Sequence, residues 1–233
     1  MNTSPMIVFD LDDTLFLERD FAISGFRAVA EWLKGRSGTS HFVEQCIDAF
    51  DSGHRSLIFD RVLEAQGVTC DDTLINTMVY IYRHHRPRIS LAPDAARFLA
   101  NGGRFAIISD GHAATQALKL ESLRIASLFE YIILTDSLGR KFWKPSKRAF
   151  QMIQDWSALQ PGELTYVADN PTKDFISPRS LGWLTVRVAR AERVHRVDPP
   201  SPEHEAHAVI PHLDLLHQAL ELIRASASAP RPH

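Results

Sequence analysis

Three acids fall within four residues at Asp10, Asp12 and Asp13, directly after the apolar run Met6-Ile7-Val8-Phe9. Side chains alternate along a strand, but where a strand ends the backbone turns, so Asp10 and Asp12 can converge on one point. Carboxylates held that close repel each other, and the arrangement demands a cation, a proton or a cage of hydrogen bonds. Hard oxygen donors favour Mg2+. The plainer alternative is a solvated loop with helix-capping acids. The tight apolar lead-in and the following Thr14-Leu15 weigh toward chemistry.

Asp169 and Asp174 form a second acidic pair, again just past an apolar run, Leu164-Thr165-Tyr166-Val167-Ala168. Beside the first pair they add a metal ligand; alone, Asp169 caps the Asn170-Pro171 turn and Asp174 opens a helix. Ser109, followed by Asp110-Gly111, is a hydroxyl at a strand end that enters a helix, and such a hydroxyl with helix N-terminal N–H groups suits a phosphate oxygen. Its alternative is an ordinary serine cap. Lys144-Pro145 reads as a helix start, where a lysine opposes the dipole and a nearby anion would account for it. A basic face with Lys141, Lys147 and Arg148 is the competing reading.

Apolar runs at 6–9, 104–109, 131–134, 164–168 and 184–188, with a short edge candidate at 209–210, read as strands. Helical patterns fall between them at 93–100, 113–123, 146–156 and, less regularly because of Pro178, 175–181, with a closing helix at 213–223 and a frayed tail at 226–233. Strand–helix alternation predicts an α/β fold, a Rossmann-like parallel sheet sandwiched by helices, with ligands beyond the carboxyl ends of its strands. The segment 18–88 has no strand pattern and carries helices at 21–33, 42–50, 56–65 and 72–84. It is too long for a plain crossover and reads as an inserted α-helical cap, leaving 1–17 and 89–233 as the catalytic core. The stretch 195–207, rich in Pro, His and Glu, reads as a surface loop.

Acid pair, hydroxyl, lysine and second acid pair, in that order, resemble the four motifs of the haloacid dehalogenase superfamily, in its phosphatase branch with a helical cap of the first type. Asp10-Leu11-Asp12-Asp13-Thr14-Leu15 carries the first, and Ser109-Asp110-Gly111 with Gln116 and Lys119-Leu120 the second. Lys144-Pro145 and Asp169-Asn170-Pro171-Thr172-Lys173-Asp174-Phe175 carry the third and fourth. Ala168 departs from the family, which often has Gly there. The resemblance implies Asp10 as nucleophile and Asp12 as general acid and base. It implies Mg2+ on Asp10, Asp169 and the Asp12 carbonyl oxygen, phosphate binding by Ser109, Asp110 and Lys144, and support from Thr14 and Asp174. Asp13 is left to cap or to face solvent. Phe16, Arg19 and Phe21, with Arg27, are candidates to reach the leaving group.

A dehalogenase does not need an acid at Asp12, so its presence favours phosphate transfer, and Lys34, the only lysine of the insert, carries no mark of a phosphonatase lysine. The expected activity is hydrolysis of a small phosphomonoester, a sugar phosphate or nucleoside monophosphate, through an aspartyl phosphate. A phosphomutase using the same intermediate and a silent phosphate-binding module are the alternatives. A formal net charge of -2 gives no global field for nucleic acid or an anionic membrane. Two cysteines, read as buried free thiols, suggest no disulfide framework, and the eleven histidines show no zinc-ligand spacing. The arginines and histidines of 83–88 read as a solvated hinge. No apolar run approaches the roughly 20 residues of a membrane span, and Asp10 comes too early for a signal-peptide core. A cytoplasmic protein, monomer or homodimer, is expected.

Overall fold

The computed structural model describes residues 4–34 and 41–228. The chain divides into two compact units, Met1–Glu18 with Ser90–His233, and Arg19–Ile89.

The first unit is built on short strands rich in β-branched and aromatic residues, the composition of a sheet buried on both faces. These are β1 (Met6–Phe9), β2 (Arg104–Ser109), β3 (Tyr131–Leu134), β4 (Leu164–Ala168), β5 (Leu184–Val188) and β6 (Ala208–Ile210). All pair in parallel, in the order β3-β2-β1-β4-β5-β6. β1 sits between β2 and β4, with Phe9 opposite Ile107 on one side and Val167 on the other. The chain order reverses at β1, and there the crevice of an open parallel sheet opens beyond the strand ends.

Alternate residues of β1 face opposite layers. Met6 and Val8 pack with Ile108, Tyr166, Phe150 and Ile153, the last two from α7 (Arg148–Ser157). Phe9 packs edge-on to Phe98 of α5 (Pro93–Ala100) and to Phe105. Emptying a site such as that of fully buried Phe150 would cost about 3–5 kcal/mol. Helices α6 (Ala113–Leu123), α8 (Ile176–Ser180) and α9 (Leu216–Ser228) complete the layers.

The second unit holds α2 (Phe42–Asp51), α3 (Ile58–Ala65), α4 (Asp72–His84) and nearly all of α1 (Glu18–Leu33). Its interior is aromatic: Phe26, Phe50, Phe59 and Tyr82 lie 5.6–6.3 Å apart, ring to ring. Gly25 permits this packing, because a Cβ there would fall 2.4 Å from Tyr82 Cδ2. Asp71 caps α4 by accepting from Leu74 N.

Local chemistry moves several boundaries. α1 starts three residues earlier than its apolar pattern predicts, because the Asp13 carboxylate accepts from Glu18 N at 2.8 Å and caps it from upstream. α7 starts at Arg148 rather than 146, with the Ser146 hydroxyl accepting from Arg148 N. Pro178 is tolerated as the third residue of α8, where its missing N–H has no partner to lose. α9 runs through Ser228, so the tail expected to fray at 226 is helical at its start, and 229–233 lie outside the described residues. Cys46 is buried and its thiol pushed up to about 12 by that burial, whereas Cys70 is half-buried, not buried as expected; both are free. Among the described residues no helix is long and apolar enough to cross a membrane.

Candidate active site

Asp10 follows β1, Ser109 ends β2 and Asp169 follows β4, so the three neighbouring strands of the sheet centre deliver one side chain each to the same edge. Asp10 continues the ladder through its N–H, which donates to Val167 O at 2.9 Å. The chain then turns: Leu15 N donates to Leu11 O, and Asp13 takes the left-handed conformation at φ 51. That geometry is tolerated by Asp, and here its carboxylate accepts from two backbone donors, Glu18 N at 2.8 Å and Val194 N at 2.6 Å. Asp13 is thus a cap, and it is buried rather than facing solvent.

The centre of the cluster is Lys144. Its side chain is fully buried, and Nζ lies 2.8 Å from Asp10 Oδ1, 2.8 Å from Asp174 Oδ1 and 2.9 Å from the Tyr166 hydroxyl. Nζ donates hydrogen bonds to Asp10 and Tyr166, while Asp174 faces it as an ion pair without a hydrogen bond to that oxygen. Burial alone would lower the lysine pKa, but Asp10 and Asp174 outweigh it and hold the value well above that of a free lysine. Lys144 precedes α7 by four residues, so the expected helix-start reading is wrong, and its apolar surroundings are balanced by carboxylates instead. Tyr166 passes the chain of bonds on, donating to Ile108 O at 3.2 Å.

Asp10, Asp169 and Asp174 bring carboxylate oxygens within 4.8 Å of one another, all three buried. Burial raises Asp10 to about 6, with Lys144 opposing and Asp174 adding to the rise. Asp169 is raised well above the usual carboxylate range by burial and then by Asp174 and Asp10, and its Oδ2 has no hydrogen-bond partner. An orphaned buried oxygen beside two further carboxylates, outnumbering the one ammonium among them, is a donor set of the kind hard divalent cations take. The turn after β4 is fixed separately: Asn170 Oδ1 accepts from Thr172 N and Oγ1, and Asp174 Oδ2 accepts from Asn170 N. Asn170 and Asp174 rather than Asp169 do the capping there.

Around this centre, Asp12 Oδ1 accepts from Lys119 Nζ at 2.6 Å and Oδ2 from Gln116 Nε2 at 2.8 Å. Gln116 Nε2 also reaches Ser109 Oγ at 2.6 Å. Gly111, at φ 108, turns the chain into α6 with a backbone conformation in which a side chain would be strained. Asp110, expected among the phosphate-binding residues, has its carboxylate committed within the protein. It is a buried anion that accepts from Thr135 Oγ1 at 2.7 Å and Lys144 N at 3.1 Å and pairs with Lys173 Nζ at 3.0 Å. Burial would raise its pKa, yet Lys144 and Lys173 hold it below the usual carboxylate value. Thr14 steadies the turn through its carbonyl, which accepts from Arg190 Nη2 at 2.7 Å; its hydroxyl has no hydrogen-bond partner.

Of the residues suggested to reach a leaving group, Arg27 is exposed, whereas the other three have partners within the protein. Phe16 is fully buried, Phe21 is buried against Tyr82 and His85, and Arg19 is held by both oxygens of Asp51. In the 83–88 cluster Arg83, His84, Arg86 and Arg88 are exposed, as a solvated stretch requires, whereas half-buried His85 is held: its ring nitrogens meet Tyr82 O and Ser24 Oγ, and Arg88 N donates to the same hydroxyl. Lys34 pairs with Glu31 on the surface.

Three buried residues, Arg187, Arg190 and Tyr166, and half-buried Lys173 support the site without a role assigned from sequence. Arg187 donates Nε to Asp169 O at 3.0 Å and Nη2 to Val197 O at 2.8 Å, Arg190 binds Asp94 and Thr14 O, and Tyr166 and Lys173 hold the ions described above. Arg187 and Tyr166 had a signal: a guanidinium or phenol inside a strand buried on both faces must have a partner.

An open parallel sheet with buried carboxylates, a buried lysine and a hydroxyl at its carboxyl edge defines a hydrolase-type site of the α/β class. The model of the family described as haloacid dehalogenase-like hydrolase matches residues 7–188. A glyceraldehyde 3-phosphate phosphatase of Methanocaldococcus jannaschii is 28% identical over 200 residues, covering 80% of this chain and 85% of its own. Among solved structures, the hydrolase YfnB of Bacillus subtilis, bound to magnesium, superposes with a TM-score of 0.68 at 18% identity, over 94% of this chain and 99% of that one. The L-2-haloacid dehalogenase of Xanthobacter autotrophicus gives 0.63 at 19%, over 95% and 99%. The chain belongs to the haloacid dehalogenase-like hydrolase family.

Proposed function

We propose that this hydrolase is a Mg2+-dependent phosphatase that cleaves a small phosphomonoester through a phosphorylated Asp10. The observation that carries the reading is Lys144, pinned between Asp10 and Asp174 beside the orphaned oxygen of Asp169. An ammonium fixed against a carboxylate nucleophile is placed to hold phosphoryl oxygens while leaving one carboxylate oxygen to attack. Asp10, Asp169 and the Asp12 carbonyl would hold the cation, with Asp174 orienting Lys144 or lending an oxygen of its own. Bound there, Mg2+ would supply positive charge against the repulsion between Asp10 and the phosphate.

Asp10 attacks phosphorus; Asp12 protonates the leaving oxygen and then deprotonates the attacking water. Ser109 and Lys144 bind the transferring phosphoryl group. The acid at Asp12 supports phosphoryl transfer over dehalogenation, and the phosphatase relative agrees with it. Substrates are small phosphorylated metabolites of the cytoplasm, sugar phosphates or nucleoside monophosphates, selected by the 19–89 unit acting as a cap.

Asp10→Asn tests the mechanism. Phosphate release should fall by at least about 1000-fold, and acid-quenched protein should no longer carry phosphate after exposure to a substrate panel. Release that survives the substitution in a clean preparation overturns the covalent route.

A further inference from the structure

Asp12 stands apart from the other acids. Its side chain is 22% exposed where that of Asp10 is 6%, and its oxygens have separate partners, both from α6. Gln116 and Lys119 are three residues apart, one turn of one helix face. Lys119 is a costly choice for its position: its side chain is 6% exposed, and its ammonium lies 5.6 Å from the ring centroid of buried Phe16. An apolar residue of the same length would pack there without the desolvation cost, so the charge at Lys119 is offset through its pairing with Asp12. Gln116, with one amide nitrogen on both Asp12 Oδ2 and Ser109 Oγ, ties the same carboxylate to the strand-end hydroxyl.

We propose that Lys119 is the positioning residue of the general acid, with Gln116 as its second arm. It fixes the plane of the Asp12 carboxyl group and supplies the countercharge when that group loses its proton. The inference rests on the phosphatase reading above. In the first displacement an Asp10 oxygen bonds to phosphorus as the ester P–O bond breaks. The electron pair leaves on the ester oxygen, which takes the Asp12 proton, and Lys119 faces the carboxylate left behind. In the second, a water oxygen bonds to phosphorus, its proton passes to Asp12, and the bond to Asp10 breaks.

The test is leaving-group dependence. A nitrophenolate departs without a proton, whereas an alkoxide needs one. Lys119→Met should lower kcat for glycerol phosphate by at least about 30-fold and for 4-nitrophenyl phosphate by less than about 5-fold, with KM little changed for either. Lys119→Arg should recover most of the alkyl activity. In an Asp12→Asn background, Lys119→Met should remove nothing further from glycerol phosphate turnover. Parallel losses on both substrates, loss on neither, or additive losses in the double variant overturn the assignment. If Lys119→Met does not fold, Lys119→Gln, which keeps a donor and drops the charge, is read by the same criteria. Wild-type protein that releases phosphate from neither substrate nor from any sugar phosphate or nucleoside monophosphate of the panel, or an Asp10→Asn variant that still does, sinks the phosphatase reading itself and this assignment with it.

Discussion

Asp10 and Asp169 keep their protons to higher pH than free carboxyl groups because burial, and then the repulsion of Asp174, penalise the ionised forms. The unfolded Asp10 releases its proton near 3.8 and the folded one near 6, so across that window the unfolded state binds fewer protons. Stability contributed by Asp10 is therefore present below the lower value and lost as pH rises through the upper one. A divalent cation requires the ionised carboxylates and reverses the effect. The difference in thermal midpoint between Mg2+-loaded and EDTA-treated protein should thus be small at pH 5 and grow by pH 8; a difference constant with pH would contradict this. Asp10 and Asp169 were legible because each is a polar break just beyond an apolar run, whereas Lys144 was picked out as a cation at an expected helix start that the structure does not form there. Arg190 and Val194 were not: neither carries a mark in sequence that names Thr14 or Asp13, about 180 residues upstream, as its partner.

The segment 187–197 behaves as a strap on the site. Arg187 holds Asp169 O and Val197 O, Arg190 holds Asp94 Oδ1 and Thr14 O, and Val194 N binds Asp13. Asp94 in turn accepts from Leu213 N at 2.6 Å, which carries the tie to the start of the last helix. Breaking a buried pair leaves a stranded charge, so Arg190→Met should destabilise the protein by about 3 kcal/mol, read from urea unfolding. Asp94→Asn should cost less, since a neutral amide oxygen still accepts from the guanidinium. The helices and strands themselves were readable, α5 and α6 to the residue, because Pro93 at the first turn of α5 and the apolar periodicity of both lie within each segment. The strap reads as loop in sequence because what orders it is contact with β1 and β4, not local pattern. The same holds for His204 and His207, committed to Ser201 and Thr185.

At the scale of the whole molecule, the core chain departs and returns at almost one point. Ala92 N donates to Leu15 O at 2.9 Å, so the core closes on itself without the 19–89 unit. Replacing 19–89 by a short Gly/Ser linker should leave a protein with the core's circular dichroism and a Mg2+-dependent rise in thermal midpoint; a molten core would show that the insert is needed for folding.

That same closure bears on how the chain first assembles. Met6 pairs with Arg104, so the central ladder must close a loop of about 100 residues. Within the insert, Arg88 N binds the Ser24 hydroxyl, so a folded insert presents its two ends together and counts as a short link. By the logarithmic cost of loop closure, ordering it first lowers the entropic cost of pairing β1 with β2 by about 1 kcal/mol. The unit that the proposed function uses to choose substrates would then also act as a folding clamp. Phe59→Ala, which hollows its aromatic interior, should slow refolding of the parallel sheet by about fivefold in stopped-flow fluorescence.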